Sequence, residues 1–113
     1  MAKLTSHTLN GTDGSHAASI PVTLEHVKSK KVIFVREMDN GGRLSIDINP
    51  SELIENEMYQ LIFNVSDYWK EKKILDPDLL NEIAIRFKVT DLCGSYHIPV
   101  ILSPNSYTVW KSS

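Results

Sequence analysis

A chain of 113 residues with 42% hydrophobic and 23% charged residues is long enough to build one domain with its own core and has the balance of an ordinary soluble globular protein. Its formal charge of −2 and its lack of a Lys/Arg cluster argue against nucleic acid as a partner, and no stretch nears the roughly 20 apolar residues of a membrane span. The start, "MAKLTSHTLN", has no apolar signal-peptide core, and a single cysteine, Cys93, leaves no internal disulfide, so residues 1–113 are expected to form one domain in a reducing, cytoplasmic setting.

The dominant hydrophobic period is two, the spacing of a strand with one buried face. "KLTSHTL" sets Leu4, Ser6 and Thr8 on one face and Thr5, His7 and Leu9 on the other. "NGTDG" (10–14) follows as a turn of residues that tolerate positive φ. In "SIPVTLEHV" the apolar face is Ile20, Val22 and Leu24, and "KKVIFVRE" is a β-branched and aromatic run. "DNGG" (39–42) turns the chain into "RLSIDI", with Leu44, Ile46 and Ile48 on one face, and "MYQLIFNV" offers Tyr59, Leu61, Phe63 and Val65. The period then breaks. In "SDYWKEKKILDPDLLNE" Ser66 reads as a helix N-cap, acid precedes base as the helix dipole favours, and Pro77 ends the helix. "EIAIRFKV" resumes the alternation through Ile83, Ile85, Phe87 and Val89.

The last strands differ from the rest. In "YHIPVIL" one face carries Ile98, Val100 and Leu102 and the other carries His97, Pro99 and Ile101, so both are largely apolar despite the proline. One face belongs to the core; the other would leave an apolar patch exposed unless another subunit covers it. "SPNS" (103–106) then bends the chain into a final strand. Eight short strands and one short helix predict an all-β, two-sheet sandwich.

Few polar residues stand out. A lone histidine in a strand is ordinarily a structural hydrogen-bonder, and that reading stands beside a catalytic one for both His7 and His97. Arg43, at the mouth of a strand, reads by default as a surface arginine. His16 and His26 read as surface residues without a role, and Cys93 as a small buried filler. No histidine pair has metal-ligand spacing, and no G-x-S-x-G or phosphate loop is present, so neither metal nor cofactor is expected.

Three stretches carry a resemblance. "LTSHTLNGTDGSHAASIPVTLE", "GGRLSIDI" and "YHIPVILSPNSYTVWKSS" resemble, in order and over almost the whole chain, the 5-hydroxyisourate hydrolases, the transthyretin-related enzymes of urate breakdown. The resemblance implies a transthyretin-like (prealbumin) eight-stranded sandwich, assembled as a homotetramer, a dimer of dimers with active sites in a channel between dimers. It implies catalytic roles for His7, Arg43 and His97, and it places the family's terminal serine on Ser113. Water would attack a ring carbonyl of a small cyclic ureide with no metal or other cofactor. Histidine suits the proton transfer because it titrates near neutral pH, and a neighbouring arginine favours its neutral form.

Departures from the family pattern lie around that trio. Ser95 replaces the first histidine of "H-Y-H", "GGR" replaces "D-G-R" with Asp39 displaced, and "ILDPDLLNEIAIRF" replaces a shorter aromatic-proline run. The closing "Y-R-G-S" becomes Trp110, Lys111, Ser112 and Ser113, which makes Trp110 and Lys111 the expected substrate-binding residues. A planar guanidinium fork becomes a point charge, and a phenol becomes a donor-only indole. Two alternatives accompany the hydrolase reading: the same scaffold acting on a different substrate, and a non-catalytic binding protein like transthyretin.

Overall fold

In the computed structural model, which describes residues 1–72 and 80–111, the alternation becomes eight strands and one helix. These are β1 (Ala2–Asn10), β2 (Pro21–His26), β3 (Val32–Glu37), β4 (Arg43–Ile48), β5 (Glu57–Asn64), α1 (Ser66–Glu71), β6 (Glu82–Val89), β7 (Ser95–Ser103) and β8 (Ser106–Val109), with a 3-10 turn at Pro50–Glu52. They form two four-stranded sheets, ordered β4-β1-β7-β8 and β3-β2-β5-β6. Every pairing is antiparallel except β1 with β7, which run parallel. This is the expected all-β two-sheet sandwich.

The buried faces follow the period of two. Leu4, Val100 and Leu102 from one sheet belong to the same core as Val22, Leu24, Tyr59, Leu61 and Phe63 from the other. Leu61 is fully buried, so Leu61→Ala removes apolar surface and leaves a cavity; a urea titration should show a loss of about 2–5 kcal/mol.

Beyond Leu4, the inward face of β1 turns polar: Ser6, Thr8 and Asn10 are all buried. A buried polar group is tolerated only with a partner, and each of these has one. Ser6 Oγ donates to Ile98 O at 2.7 Å, Thr8 Oγ1 to Ala17 O at 2.7 Å, and Asn10 Nδ2 to the Tyr68 hydroxyl at 3.0 Å. The Tyr68 bond ties α1 to β1, while Trp69 of the same helix is buried in the core. The Ser6 bond helps fix the register of β1 against β7, and the register decides which residues face outward.

Three sequence readings are corrected. Ser66 is the first residue of α1 rather than its cap; Val65 holds the cap position, and Ser66 N–H donates to Asn64 Oδ1 at 3.3 Å. Pro77 lies outside the described residues. His26 is buried, not superficial: the period that buries Val22 and Leu24 carries it inward, and its ring lies 2.6 Å from Ser29 Oγ and 3.2 Å from Glu57 Oε1. Cys93 is exposed rather than buried, in the turn that precedes β7.

The outer face of β7 is covered in part by the chain itself. A Cβ at Gly11 would lie 2.8 Å from Ile101 Cγ2, and Gly11 N–H donates to Leu102 O at 2.7 Å. The 10–14 turn therefore lies against Ile101 and supplies some of the cover expected from another subunit.

Candidate active site

Register brings the three polar residues together. His7 stands opposite Arg43 in the β1–β4 pair, and His97 stands opposite Thr5 in the β1–β7 pair. Side chains on one face alternate with those on the other, and directly opposed residues share a face. Because Ser6, Leu44 and Ile98 all point into the core, His7, Arg43 and His97 share the outer face of the β4-β1-β7-β8 sheet. Neighbouring strands lie about 4.8 Å apart, so His7 directly flanks Arg43, while His97 stands on the next strand, diagonal to His7.

Arg43 is positioned by the turn before it. Asp39 Oδ1 accepts from Gly41 N–H and Arg43 N–H, both at 2.9 Å, and Asp39 O accepts from Gly42 N–H at 2.9 Å. Gly42 adopts φ 69° and its carbonyl accepts from Thr8 N–H at 2.7 Å, which seats the turn on β1 beside His7. Asp39, displaced from the family's position in the sequence, thus organises the loop through its side chain. The exposed guanidinium has no carboxylate within ion-pair distance among the described residues.

His7 is half-buried, with Nε2 at 3.1 Å from Gly41 O and 2.9 Å from His16 Nδ1. Burial holds its pKa below the ordinary 6.5, and the Arg43 charge adds to this. The Gly41 carbonyl opposes the shift, while His16 and His97 reinforce it. The arrangement therefore favours a neutral imidazole, the form able to accept a proton. The His97 ring is held differently: Nδ1 lies 2.7 Å from Thr5 Oγ1, which leaves the Nε2 edge of the ring without a side-chain partner among the described residues.

Trp110 and Lys111 follow β8 and are exposed. They line a cleft of about 460 Å³ together with Phe87, Lys88, Tyr96 and His97. This cleft lies between β6 and the β7–β8 end of the other sheet, and neither His7 nor Arg43 contributes to it. The structure therefore unites His7, Arg43 and His97, and brings Trp110 and Lys111 near His97 alone. Ser113 lies outside the described residues.

Sequence reasoning did not find His16, Thr5 or the Gly41 carbonyl as neighbours of these rings. For Thr5 a signal existed, since it shares the outer face of β1 with His7. No group of three or more His, Cys, Asp or Glu side chains able to hold a metal occurs among the described residues. No described helix is long and apolar enough to cross a membrane.

Comparison with known proteins bears on this geometry. The model of the HIUase/Transthyretin family matches residues 4–112. The 5-hydroxyisourate hydrolase of Deinococcus radiodurans is 32% identical over 113 residues, covering 97% of this chain and 95% of that protein. The structure of the Klebsiella pneumoniae 5-hydroxyisourate hydrolase superposes with a TM-score of 0.80 at 16% identity, covering 100% of both chains. (S)-Allantoin synthase superposes with a TM-score of 0.82 at 21% identity, and this chain, 99% covered, spans 44% of its length. The two structural likenesses speak to the fold alone.

Proposed function

The chain belongs to the HIUase/Transthyretin family, and from that premise we propose that it is an enzyme that hydrolyses 5-hydroxyisourate. The observation that carries the proposal is His7 facing Arg43 across β1–β4, with His97 on the next strand of the same face. A pure binding protein has no chemical need for a neutral imidazole beside a cation.

In the proposed mechanism His7 takes a proton from water as the water oxygen bonds to the ring carbonyl carbon. Arg43 stabilises the oxyanion, a contribution of about 3–4 kcal/mol for a well-placed donor. The ring C–N bond then breaks and the departing nitrogen receives a proton, with His97 sharing the proton handling. Ser113 completes the site by hydrogen-bonding water or substrate. Trp110 and Lys111 bind substrate from the His97 side. The proposal includes a homotetramer in which a second dimer covers the outer sheet face and encloses the site.

A second reading is favoured by one observation. Trp110 and Lys111 share their cleft with His97 but not with His7 or Arg43, which fits a pocket altered for a different substrate.

One assay tests both. With 5-hydroxyisourate generated in situ by urate oxidase, its ultraviolet decay should accelerate at micromolar protein. No acceleration sinks the first reading. If Ser95→His, Lys111→Arg and Ser112→Gly together then confer activity, the second is supported; a binding protein gains nothing from them.

The pH profile follows from the environment of His7. The base works only when neutral, and its pKa lies below 6.5 because of burial and Arg43. Activity should therefore persist as pH falls through 6.5 and decline only below it. A decline that begins well above that pH would remove His7 from the base role.

A further inference from the structure

His16 has no place in the mechanism above, yet it is built into position beside His7. The turn after β1 folds back so that His16 bridges to Leu9, with Asn10 N–H donating to Ser15 O at 2.8 Å. The next residue, Ala17, is fully buried, and its N–H donates to Thr8 O at 2.9 Å. These bonds hold the His16 backbone on both sides. Its ring lies beside that of His7, with centroids 5.0 Å apart and planes inclined by 28°.

The hydrogen-bond geometry at His7 Nε2 admits one consistent proton placement. Gly41 O can only accept, so the 3.1 Å contact places a proton on His7 Nε2. His16 Nδ1, 2.9 Å from the same atom, then acts as a second acceptor for that N–H. In the reverse arrangement His16 would donate to a bare Nε2, and that lone pair would face the Gly41 carbonyl. Two acceptors in contact with no proton between them is the costlier state.

We infer that His16 is a positioning residue for His7: with the Gly41 carbonyl it claims the proton on Nε2 and leaves Nδ1 as the basic atom. The inference rests on the hydrolase reading only for the use made of that atom. The groups that face His7 are Arg43 from β4, His97 from β7, His16 from the 10–16 turn and the Gly41 carbonyl from the turn before β4. Of the three side chains, His16 is the one within hydrogen-bond distance of the ring. Its removal takes away one of the two acceptors of the Nε2 proton and leaves the Gly41 carbonyl alone to hold the tautomer.

Imidazole 15N NMR on the free protein tests this without substrate. Wild type should show His7 as one neutral tautomer, protonated at Nε2. In His16→Ala the tautomer signal should become mixed. His16→Asn, whose Oδ1 can accept the same proton, should restore the single tautomer. His16 is exposed, so an unchanged backbone amide spectrum is expected to accompany each variant. A wild-type His7 protonated at Nδ1, or a His16→Ala variant with unchanged tautomer, overturns the inference. Kinetics on 5-hydroxyisourate supply a separate reading: His16→Ala should lose kcat/KM and His16→Asn should regain it. A protein inactive on 5-hydroxyisourate but showing the NMR changes keeps the inference and discards the hydrolase.

Discussion

Replacing His7 with asparagine should lower kcat/KM for 5-hydroxyisourate by about 10²–10⁴-fold, the range for removing a positioned general base. The side chain lies on the outer face of β1, half-buried, and takes no part in the core. Asparagine keeps a polar group beside Gly41 but has no nitrogen that can take a proton from water near neutral pH. Thermal stability should therefore stay close to wild type while activity collapses. Stopped-flow decay of the substrate measures the first quantity and thermal unfolding the second. A variant that keeps most of its activity would transfer the base role to His97.

The second large effect concerns Gly42, one residue before Arg43. Its φ is +69°, and a Cβ there would lie 2.5 Å from Thr8 O, 3.0 Å from Ala17 O and 3.2 Å from Ala17 N. All three are backbone atoms of segments bonded to one another, so none can yield like a flexible side chain. Gly42→Ala combines left-handed strain with overpacking and should destabilise by about 3 kcal/mol or more. For a chain of this size that lowers Tm by about 10–20 °C. Gly14 is the control: its φ is +76°, but nothing lies within 4 Å of a Cβ there. Gly14→Ala should therefore cost only the backbone part, about 1 kcal/mol. Equal losses at the two sites would show that the close approach to Thr8 and Ala17 is unimportant.

Much of the fold was legible because the core obeys the period of two. The alternation in "MYQLIFNV" and "EIAIRFKV" predicted β5 and β6, and the parity of His7 in "KLTSHTL" set it on the face opposite Leu4. That the outward-facing histidines belong to one surface followed from family resemblance, since strand order is not written in any local pattern. The misses have a common cause in partners supplied by distant or looping segments. His26 looked superficial because a histidine is costly to bury, and Glu57, which offsets that cost, lies 31 positions away. His16 looked idle because its contact with His7 depends on the path of a glycine-containing turn. Asp39 looked displaced because its role runs through side-chain oxygen bonds to Gly41 and Arg43, not through position next to the arginine.

The parallel pairing of β1 with β7 has a consequence for the order of assembly during synthesis. Thr5 and His97 touch across a separation of 92 positions. A ribosome delivers the N-terminal strand long before the strand that must lie beside it. Until β7 emerges, β1 has one edge unpaired, and its buried Ser6 lacks the Ile98 carbonyl it bonds to. A nascent chain can pair β1 with β4, bringing His7 opposite Arg43, but it cannot yet contain His97. Non-local pairing of this kind is slow to close, so the growing polypeptide carries half a site on an open sheet edge. Arrested chains released at increasing lengths should therefore gain protease resistance and the third polar residue together, when β7 docks.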